Sequence, residues 1–430
     1  LPEYNVAVIG LGKIGLPLAA QFAQSGLRVI GCDINPDVVA GVSAGQSHVK
    51  EEPGLDELVR DGVSAGRLTA TTDTTAAVLL SNVVVVIVPV IVDSNHHVAY
   101  GSIDAATKSV AAGLQPGTLV IYETTLPVGT TRTRFAPALE QGSGLKAGHD
   151  FHLAFSPERV YSGRIFRDLH RYPKVVGGIT PDCTEAAVDF YRVALEGAEC
   201  LPMHNADTAE LVKLMETTYR DVNIALANEF ARFASDRGLP VDEAISAANT
   251  QPYSHIHRPG IAVGGHCIPV YPYFLIHQAG EGEMEIPRLA RRINDDMAAW
   301  ALGKLSRALG SLRGRRVLIL GLSYRENVKE PIFSGALRLI AKLHDAGATS
   351  LVNDPLFTDD EIARYDAVPA PLDNLPPADA LILQAYHDDY RSIDWPSLAQ
   401  KGYRVILDGR NSLDPAEIKG AGMGYIGIGR

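Results

Sequence analysis

At 430 residues the chain exceeds what one hydrophobic core usually holds, and it predicts two or three domains. Its 46% hydrophobic and 21% charged residues exclude a disordered chain. A net charge of −11 argues against a nucleic-acid partner but leaves room for a local basic pocket that takes a small anion.

The chain opens on a strand-like run, Val6–Ile9, with no basic segment before it that would mark a signal peptide. The longest apolar run, Val83 to Val92, is about ten residues and holds Pro89, too short to span a bilayer. A soluble cytoplasmic protein with no membrane partner is expected. The four cysteines, Cys32, Cys183, Cys200 and Cys267, follow no paired spacing, so neither a disulfide framework nor a metal site is expected.

Short β-branched runs at Val6–Ile9, Arg28–Ile30, Val83–Val88 and Thr118–Tyr122 read as buried parallel strands, with helical stretches such as Leu16–Ser25 between them. Next comes a long helical stretch from about Ala206 to Gly238, with Leu211, Leu214, Met215, Val222, Leu226 and Phe230 at helical spacing. Its length suits a connector that offers a face to a second copy of the chain. The strand–helix pattern restarts at Arg316–Leu320 and continues through Leu351–Asn353, Ala380–Leu383 and Arg404–Leu407. The expected fold is therefore α/β, with two Rossmann-like doubly wound domains (residues 1–200 and 301–430) joined by a central helical domain (201–300).

Gly10-Leu11-Gly12-Lys13-Ile14-Gly15 lies between the first strand and the first helix. Gly10 permits a tight turn, Gly12 lets backbone approach a pyrophosphate at the helix N-terminus, and Gly15 lets helix and strand pack closely. The next strand ends at Asp33, eighteen residues after Gly15. A carboxylate there binds a ribose diol and repels a 2′-phosphate, which selects NAD over NADP. In the second α/β unit the corresponding loop is Gly321-Leu322-Ser323, and Ser323 argues against a second dinucleotide bound the same way. Cys267 stands in the glycine-rich run Pro259–Pro269. A thiol there can add to an aldehyde and hold it as a thiohemiacetal, the oxygen-bearing tetrahedral carbon that a further hydride loss requires.

With these residues in view the sequence resembles the UDP-glucose/GDP-mannose dehydrogenase family along nearly its whole length, most closely its UDP-N-acetylhexosamine 6-dehydrogenase branch. The matching segments include VAVIGLGKIGLPLA, ETTLPVGTT, FSPERV, KVVGG, AELVKLMETTYRDVNIALANEFA, RPGIAVGGHCIP, LILGLSYR and LDGRN. The resemblance implies a four-electron oxidation of a sugar CH2OH to a carboxylate with two NAD. It makes Cys267 the nucleophile, Lys213 the stabiliser of the oxyanion, and Thr125 and Glu158 the water-positioning and acid–base residues. It also implies that Lys13, Ile14, Pro89, Val90 and Thr125 join Gly10, Gly12, Gly15 and Asp33 around NAD. Glu158, Arg159, Val160, Lys213, Thr217, Asn223, His257, Arg258, Gly260 and Tyr271 fall in its substrate segments, with Tyr324, Arg325 and Arg410 at the nucleotide-diphosphate end. It further implies a homodimer or higher homo-oligomer built on the long helix.

The departures from the family pattern cluster on the substrate side. Tyr271 replaces the aspartate four residues after the cysteine, which partners the lysine in the family. A phenol of ordinary pKa about 10 supplies no carboxylate at neutral pH. Thr217 replaces an asparagine, Tyr253 stands near an arginine position, Ile332 replaces another arginine, and Val88-Pro89-Val90-Ile91 replaces VPTP. These changes leave three alternatives beside the main reading: a dehydrogenase for an atypical nucleotide sugar, one performing a single oxidation, and a non-catalytic nucleotide-sugar binder.

Overall fold

A computed structural model describes residues 3–161 and 163–430. The chain divides into two compact units, Leu1–Glu216 with Tyr273–Gln278, and Thr217–Pro272 with Ala279–Arg430.

The first unit carries the strands β1 (Asn5–Ile9), β2 (Arg28–Cys32), β3 (Leu68–Thr71), β4 (Val83–Val86), a small hairpin of β5 (Ile91–Val92) and β6 (Val98–Ala99), then β7 (Leu119–Tyr122), β8 (His152–Phe155), β9 (Lys174–Gly178) and β10 (Cys200–Pro202). The main sheet runs β10-β9-β8-β7-β4-β1-β2-β3, parallel except where β8 meets β9. The apolar runs are continuous because both faces of the sheet are covered. Val6 and Val8 enter one core cluster, and Ala7 and Ile9 enter the other. Register aligns Ile9 with Cys32 on one side and with Val86 on the other. The loops that follow β1, β2 and β4 therefore emerge at one edge, the crevice at the carboxyl ends of the strands. The strand expected over 83–88 stops at Val86. Ile87 N–H still donates to Ile9 O, and Pro89, lacking an N–H, lies in the segment that leaves the sheet.

The second unit repeats the winding with β11 (Arg316–Leu320), β12 (Thr349–Asn353), β13 (Val368–Pro369), β14 (Ala380–Leu383), β15 (Val405–Asp408) and β16 (Gly424–Gly427), in the order β13-β12-β11-β14-β15-β16 and all parallel. The strand order of β3-β2-β1-β4-β7-β8 is thus reproduced, and both expected doubly wound sheets are present.

The long helix spans Ala206–Ser235, three residues short of the expected end. Arg237 and Leu239 N–H both donate to Ala234 O, and Gly238 adopts a φ of +65° that a side chain disfavours. Within the second unit this helix is tied to the helix Glu285–Leu309 by a buried polar seam. Arg291 pairs with Asp221 at 2.6 Å, Asn294 donates to Asp221 Oδ1 at 2.8 Å, and Asn228 donates to Asn294 at 2.8 Å. Asn228 Oδ1 also accepts from Gly260 N–H at 2.9 Å, so the same helix fixes the start of the glycine-rich segment that leads to Cys267. Among the described residues no helix is long and apolar enough to cross a membrane.

Candidate active site

In the first unit the loop after β1 has the form a dinucleotide requires. Gly10 sits at φ +98°, and a Cβ on Gly15 would lie 1.9 Å from Gly10 O. A Cβ on Gly12 would meet nothing within 4 Å, so the chain leaves open space where a pyrophosphate approaches. Asp33 Oδ2 accepts from Leu11 N–H at 2.9 Å and its Oδ1 from Asn35 N–H, which holds the carboxylate at the mouth of the same loop. These residues fit NAD. Ile14 stands immediately before the helix Gly15–Gln24. Lys13 pairs with Glu51 at 3.0 Å with its side chain about half exposed. Pro89 is exposed and Val90 half-buried, both just beyond β4.

The corresponding acid of the second sheet, Asp354, follows β12 and behaves differently. Its Oδ2 accepts from Leu322 N–H and Ser323 N–H at 2.8 Å and from the Ser323 hydroxyl at 2.9 Å, with the buried His387 Nε2 at 3.1 Å. The donors that would face a pyrophosphate are already taken by the protein's own carboxylate. This is the physical content of the serine at that position.

Thr125 is buried on the loop after β7. That loop is anchored by the buried Glu210 of the long helix, which accepts from Gly129 N–H, from Thr131 N–H at 2.8 Å and from the Thr131 hydroxyl at 2.7 Å. One turn on, Lys213 Nζ donates to the backbone carbonyl of Glu158 at 2.6 Å. The long helix thus brings Lys213 to the backbone of Glu158 and, through Glu210, anchors the loop that carries Thr125, all in one unit. The Glu158 side chain accepts from Arg159 N–H at 2.6 Å and Val160 N–H at 3.1 Å through Oε1, and from Lys174 Nζ at 3.0 Å through Oε2. Burial opposes its ionisation, but Lys174, the Arg159 amide and a hydrogen bond with Glu123 together outweigh burial, and its pKa is lowered. Arg159 is turned toward Glu216 at 2.5 Å and Pro173 O at 3.1 Å.

Behind Glu158 lies a group the sequence reading missed. Glu123, fully buried, accepts from Tyr191 OH and from the same Lys174 Nζ at 3.0 Å. Burial raises its pKa to about 7; the Lys174 ammonium opposes the shift and Glu158 adds to it. The available signal was a charged residue at each end of an apolar strand, Glu123 after LVIY and Lys174 at the head of KVVGG.

The second unit holds Cys267. Gly265 has φ +90°, and a Cβ on it would press the Tyr324 ring at 3.0 Å; a Cβ on Gly264 would lie 2.7 Å from Tyr324 Cβ. Gly265 N–H donates to Ile332 O at 3.3 Å, and His266 Nε2 lies 2.9 Å from Glu330 Oε2. The thiol-bearing loop is therefore fixed on both Tyr324 and the segment where Ile332 stands in place of an arginine. Cys267 O accepts from Tyr271 N–H at 2.9 Å, which starts the turn into the helix Pro272–Gln278. Arg410 donates to Gln384 O at 2.5 Å and to Tyr324 O at 2.8 Å, and Arg325 Nε donates to Tyr324 OH at 3.0 Å. Ile261 N–H donates to Gly409 O at 3.0 Å, and a Cβ on Gly260 would stand 3.6 Å from Arg410. Tyr324, Arg325, Arg410 and Gly260 are thus brought together. Asn223 clasps the preceding strand-like segment, accepting from His257 N–H at 2.9 Å and donating to His255 O at 2.7 Å. Burial, then Arg220, keeps His257 below the usual imidazole range. Arg258 is exposed and Thr217 buried.

Three family models cover the chain in order: the NAD binding domain of the UDP-glucose/GDP-mannose dehydrogenase family at residues 4–195, its central domain at 207–296 and its UDP binding domain at 318–415. The chain belongs to this family, and it is an NAD-dependent oxidoreductase of the nucleotide-sugar dehydrogenase class. It is 38% identical to a UDP-N-acetyl-D-mannosamine dehydrogenase of Pyrococcus horikoshii over 99% of both chains. It is also 35% identical to an NDP-N-acetyl-D-galactosaminuronic acid dehydrogenase of Ralstonia solanacearum, over 94% of this chain and 95% of that one. The solved structure of the Pyrococcus horikoshii UDP-D-ManNAc dehydrogenase superposes with a TM-score of 0.87, 36% identity and 99% coverage of each chain.

Proposed function

We propose that the protein oxidises the C6 primary alcohol of a UDP-linked N-acetylhexosamine to the carboxylate through a covalent adduct on Cys267. The observation that carries this reading is the Cys267 loop, whose two glycines pack against Tyr324 where no side chain fits, next to Arg410, which donates to Tyr324 O. A purely binding homologue has no need of a nucleophile so placed. The acetamido sugar is suggested by the names of the relatives.

NAD, when bound, would supply the hydride acceptor for each of two oxidations. Gly10, Gly12 and Gly15 would hold its pyrophosphate against backbone, and Asp33 would take the ribose diol. Glu158 takes the C6 hydroxyl proton as the first hydride leaves. Cys267 Sγ then adds to the aldehyde carbon, and the Lys213 ammonium stabilises the resulting oxyanion. Loss of the second hydride leaves a thioester on Sγ. Once Glu158 has released its first proton to solvent, it accepts a proton from water positioned by Thr125 as that water attacks the thioester carbon. The C–S bond breaks, and the departing thiolate takes up a proton as the carboxylate is freed. Tyr324, Arg325 and Arg410 form the diphosphate end. We assign the protein to the cytoplasm, where its cysteines stay reduced.

Tyr271, in place of a carboxylate, favours a second reading in which the sugar is atypical or the oxidation stops at the aldehyde. One experiment separates the two: incubation with UDP-N-acetyl-D-mannosamine and other nucleotide sugars, counting NADH per sugar consumed, with mass spectrometry of the product. Two NADH and a uronate are expected. One NADH and an aldehyde would establish the single oxidation, and no NADH with any sugar would establish a binder. Cys267→Ser should lower carboxylate formation by orders of magnitude. Full carboxylate formation by Cys267→Ala would remove the covalent step.

A further inference from the structure

We propose that Lys174 and Glu123 form a counter-ion pair behind Glu158, holding its carboxylate ionised before proton uptake and keeping the Lys174 ammonium paired afterwards. The inference rests on the acid–base role proposed for Glu158.

A buried ammonium that serves a single carboxylate has a difficulty when that carboxylate is a base. Once Glu158 takes a proton its charge vanishes, and Lys174, 6% exposed at its side chain, would be left as an isolated buried cation. Here the ammonium sits 3.0 Å from each of two carboxylates, so neutralising one leaves the other in place. Lys174 is fixed at the first position of β9, Glu123 at the end of β7 and Tyr191 on the helix Pro181–Ala194. Three separate elements of the sheet thus converge on one ammonium.

Glu123 also hydrogen-bonds Glu158, and Ser156 hydrogen-bonds Tyr191. Tyr191 OH donates to Glu123, and its ring lies 4.9 Å from Lys174 Nζ. Burial and the neighbouring Glu123 keep that phenol protonated. Lys213 donates to the backbone carbonyl of Glu158, and Arg159 is turned to Glu216 and Pro173 O. Cys200 senses Lys174 from a distance, its thiol raised chiefly by burial. Two carboxylates sharing one cation cannot both ionise easily, and the burden falls on Glu123, the more deeply buried of the two, which is raised to about 7 while Glu158 is lowered. Lys174 is itself raised, because the two carboxylates outweigh its burial.

Glu123 and Lys174 touch no substrate in this scheme; they are positioning residues, and their test is a pH dependence. The first measurement needs no substrate. A carboxyl raised in the folded state stabilises the fold below its unfolded value and loses that contribution as pH rises through the folded one. The urea midpoint of the wild type should therefore fall, relative to Glu123→Gln, as pH rises from 4.5 to about 7. A difference that stays constant across that window would overturn the proposal.

The second measurement is the acid limb of kcat/KM with UDP-N-acetyl-D-mannosamine. Glu123→Gln removes the carboxyl that hydrogen-bonds the ionised Glu158 and lowers its pKa, so the limb should move up by about one pH unit. Lys174→Met should move it up by a similar amount, and Lys174→Arg should restore it. If Lys174→Met fails to fold with two carboxylates facing each other, the double variant Glu123→Gln/Lys174→Met gives the same upward shift. Glu158→Gln separates the two readings. Retained turnover in that variant would remove Glu158 from the chemistry and overturn both. Lost turnover there, with an unmoved limb in Glu123→Gln, would overturn the counter-ion role alone.

Discussion

Asp33 and Asp354 follow equivalent strands of two sheets with the same order, and Ser323 and His387 separate their fates. Asp33 spends one oxygen on Leu11 N–H and the other on Asn35 N–H, and it stays half-buried at the mouth of an open glycine loop. Asp354 turns inward because Ser323 gives it a third donor within the loop itself. The cofactor preference follows from the first of these environments. Asp33→Ala should raise KM for NAD and narrow the preference over NADP, because the diol loses its acceptor and the 2′-phosphate loses its repeller. Paired steady-state kinetics on the two cofactors measure this, and a wild type that prefers NADP would contradict it.

The element that closes the second glycine loop is a network of loop donors, carboxylate and imidazole, and its worth can be measured. Asp354 is 2% exposed, and although burial works against its ionisation, hydrogen bonds from His387 and the loop amides hold its pKa below the usual carboxylate value. With a depressed folded pKa, its stabilisation is fully present above the unfolded value and is lost as pH falls through the folded one. Asp354→Asn should cost about 2 kcal/mol or more at pH 7, since buried donors lose a charged acceptor. Its urea midpoint should approach that of the wild type only as pH falls below the ordinary value of 3.8. A gap that persists unchanged into that range would place the defect in packing instead.

Elements of this kind show what the sequence conveys and what it withholds. The strands β1, β4, β11 and β14 were legible because both faces of each are buried, so every residue after the opening Asn5 and Arg316 is apolar. Edge strands such as β3 and β10, with exposed threonine or proline, carry no such signature. The glycine loops and Cys267 were legible because special backbone conformations demand glycine. The Lys174–Glu123 pair was not, because its members lie 51 positions apart and meet only through the register of the sheet. The segment around Ile332 was legible as a departure, but its contact with Gly265 N–H appears only in the fold.

At the scale of the molecule the long helix raises the question of what covers it. Ala227 and Ala231 face the second core, and their small side chains let the helix approach it closely. The opposite side carries Tyr219, Leu226, Phe230 and Phe233, which are 58%, 44%, 42% and 56% exposed. Their spacing of seven, four and three places them on one stripe. Aromatic and aliphatic groups on one helix face form a contiguous patch that a solvated surface does not favour. A second copy of the same helix, related by a two-fold axis, matches the patch with itself, since residue i then meets residue j and j meets i. The homo-oligomer expected from the sequence would seat on this stripe. Each side chain that becomes fully covered contributes about 1.5–3 kcal/mol. Placing a charge at its centre reverses that gain, because a carboxylate buried without a partner is strongly unfavourable. Phe230→Glu should shift the protein from dimer to monomer in sedimentation at micromolar concentration, with its far-ultraviolet circular dichroism unchanged. A wild type that sediments as a monomer under the same conditions would show that the stripe serves another purpose.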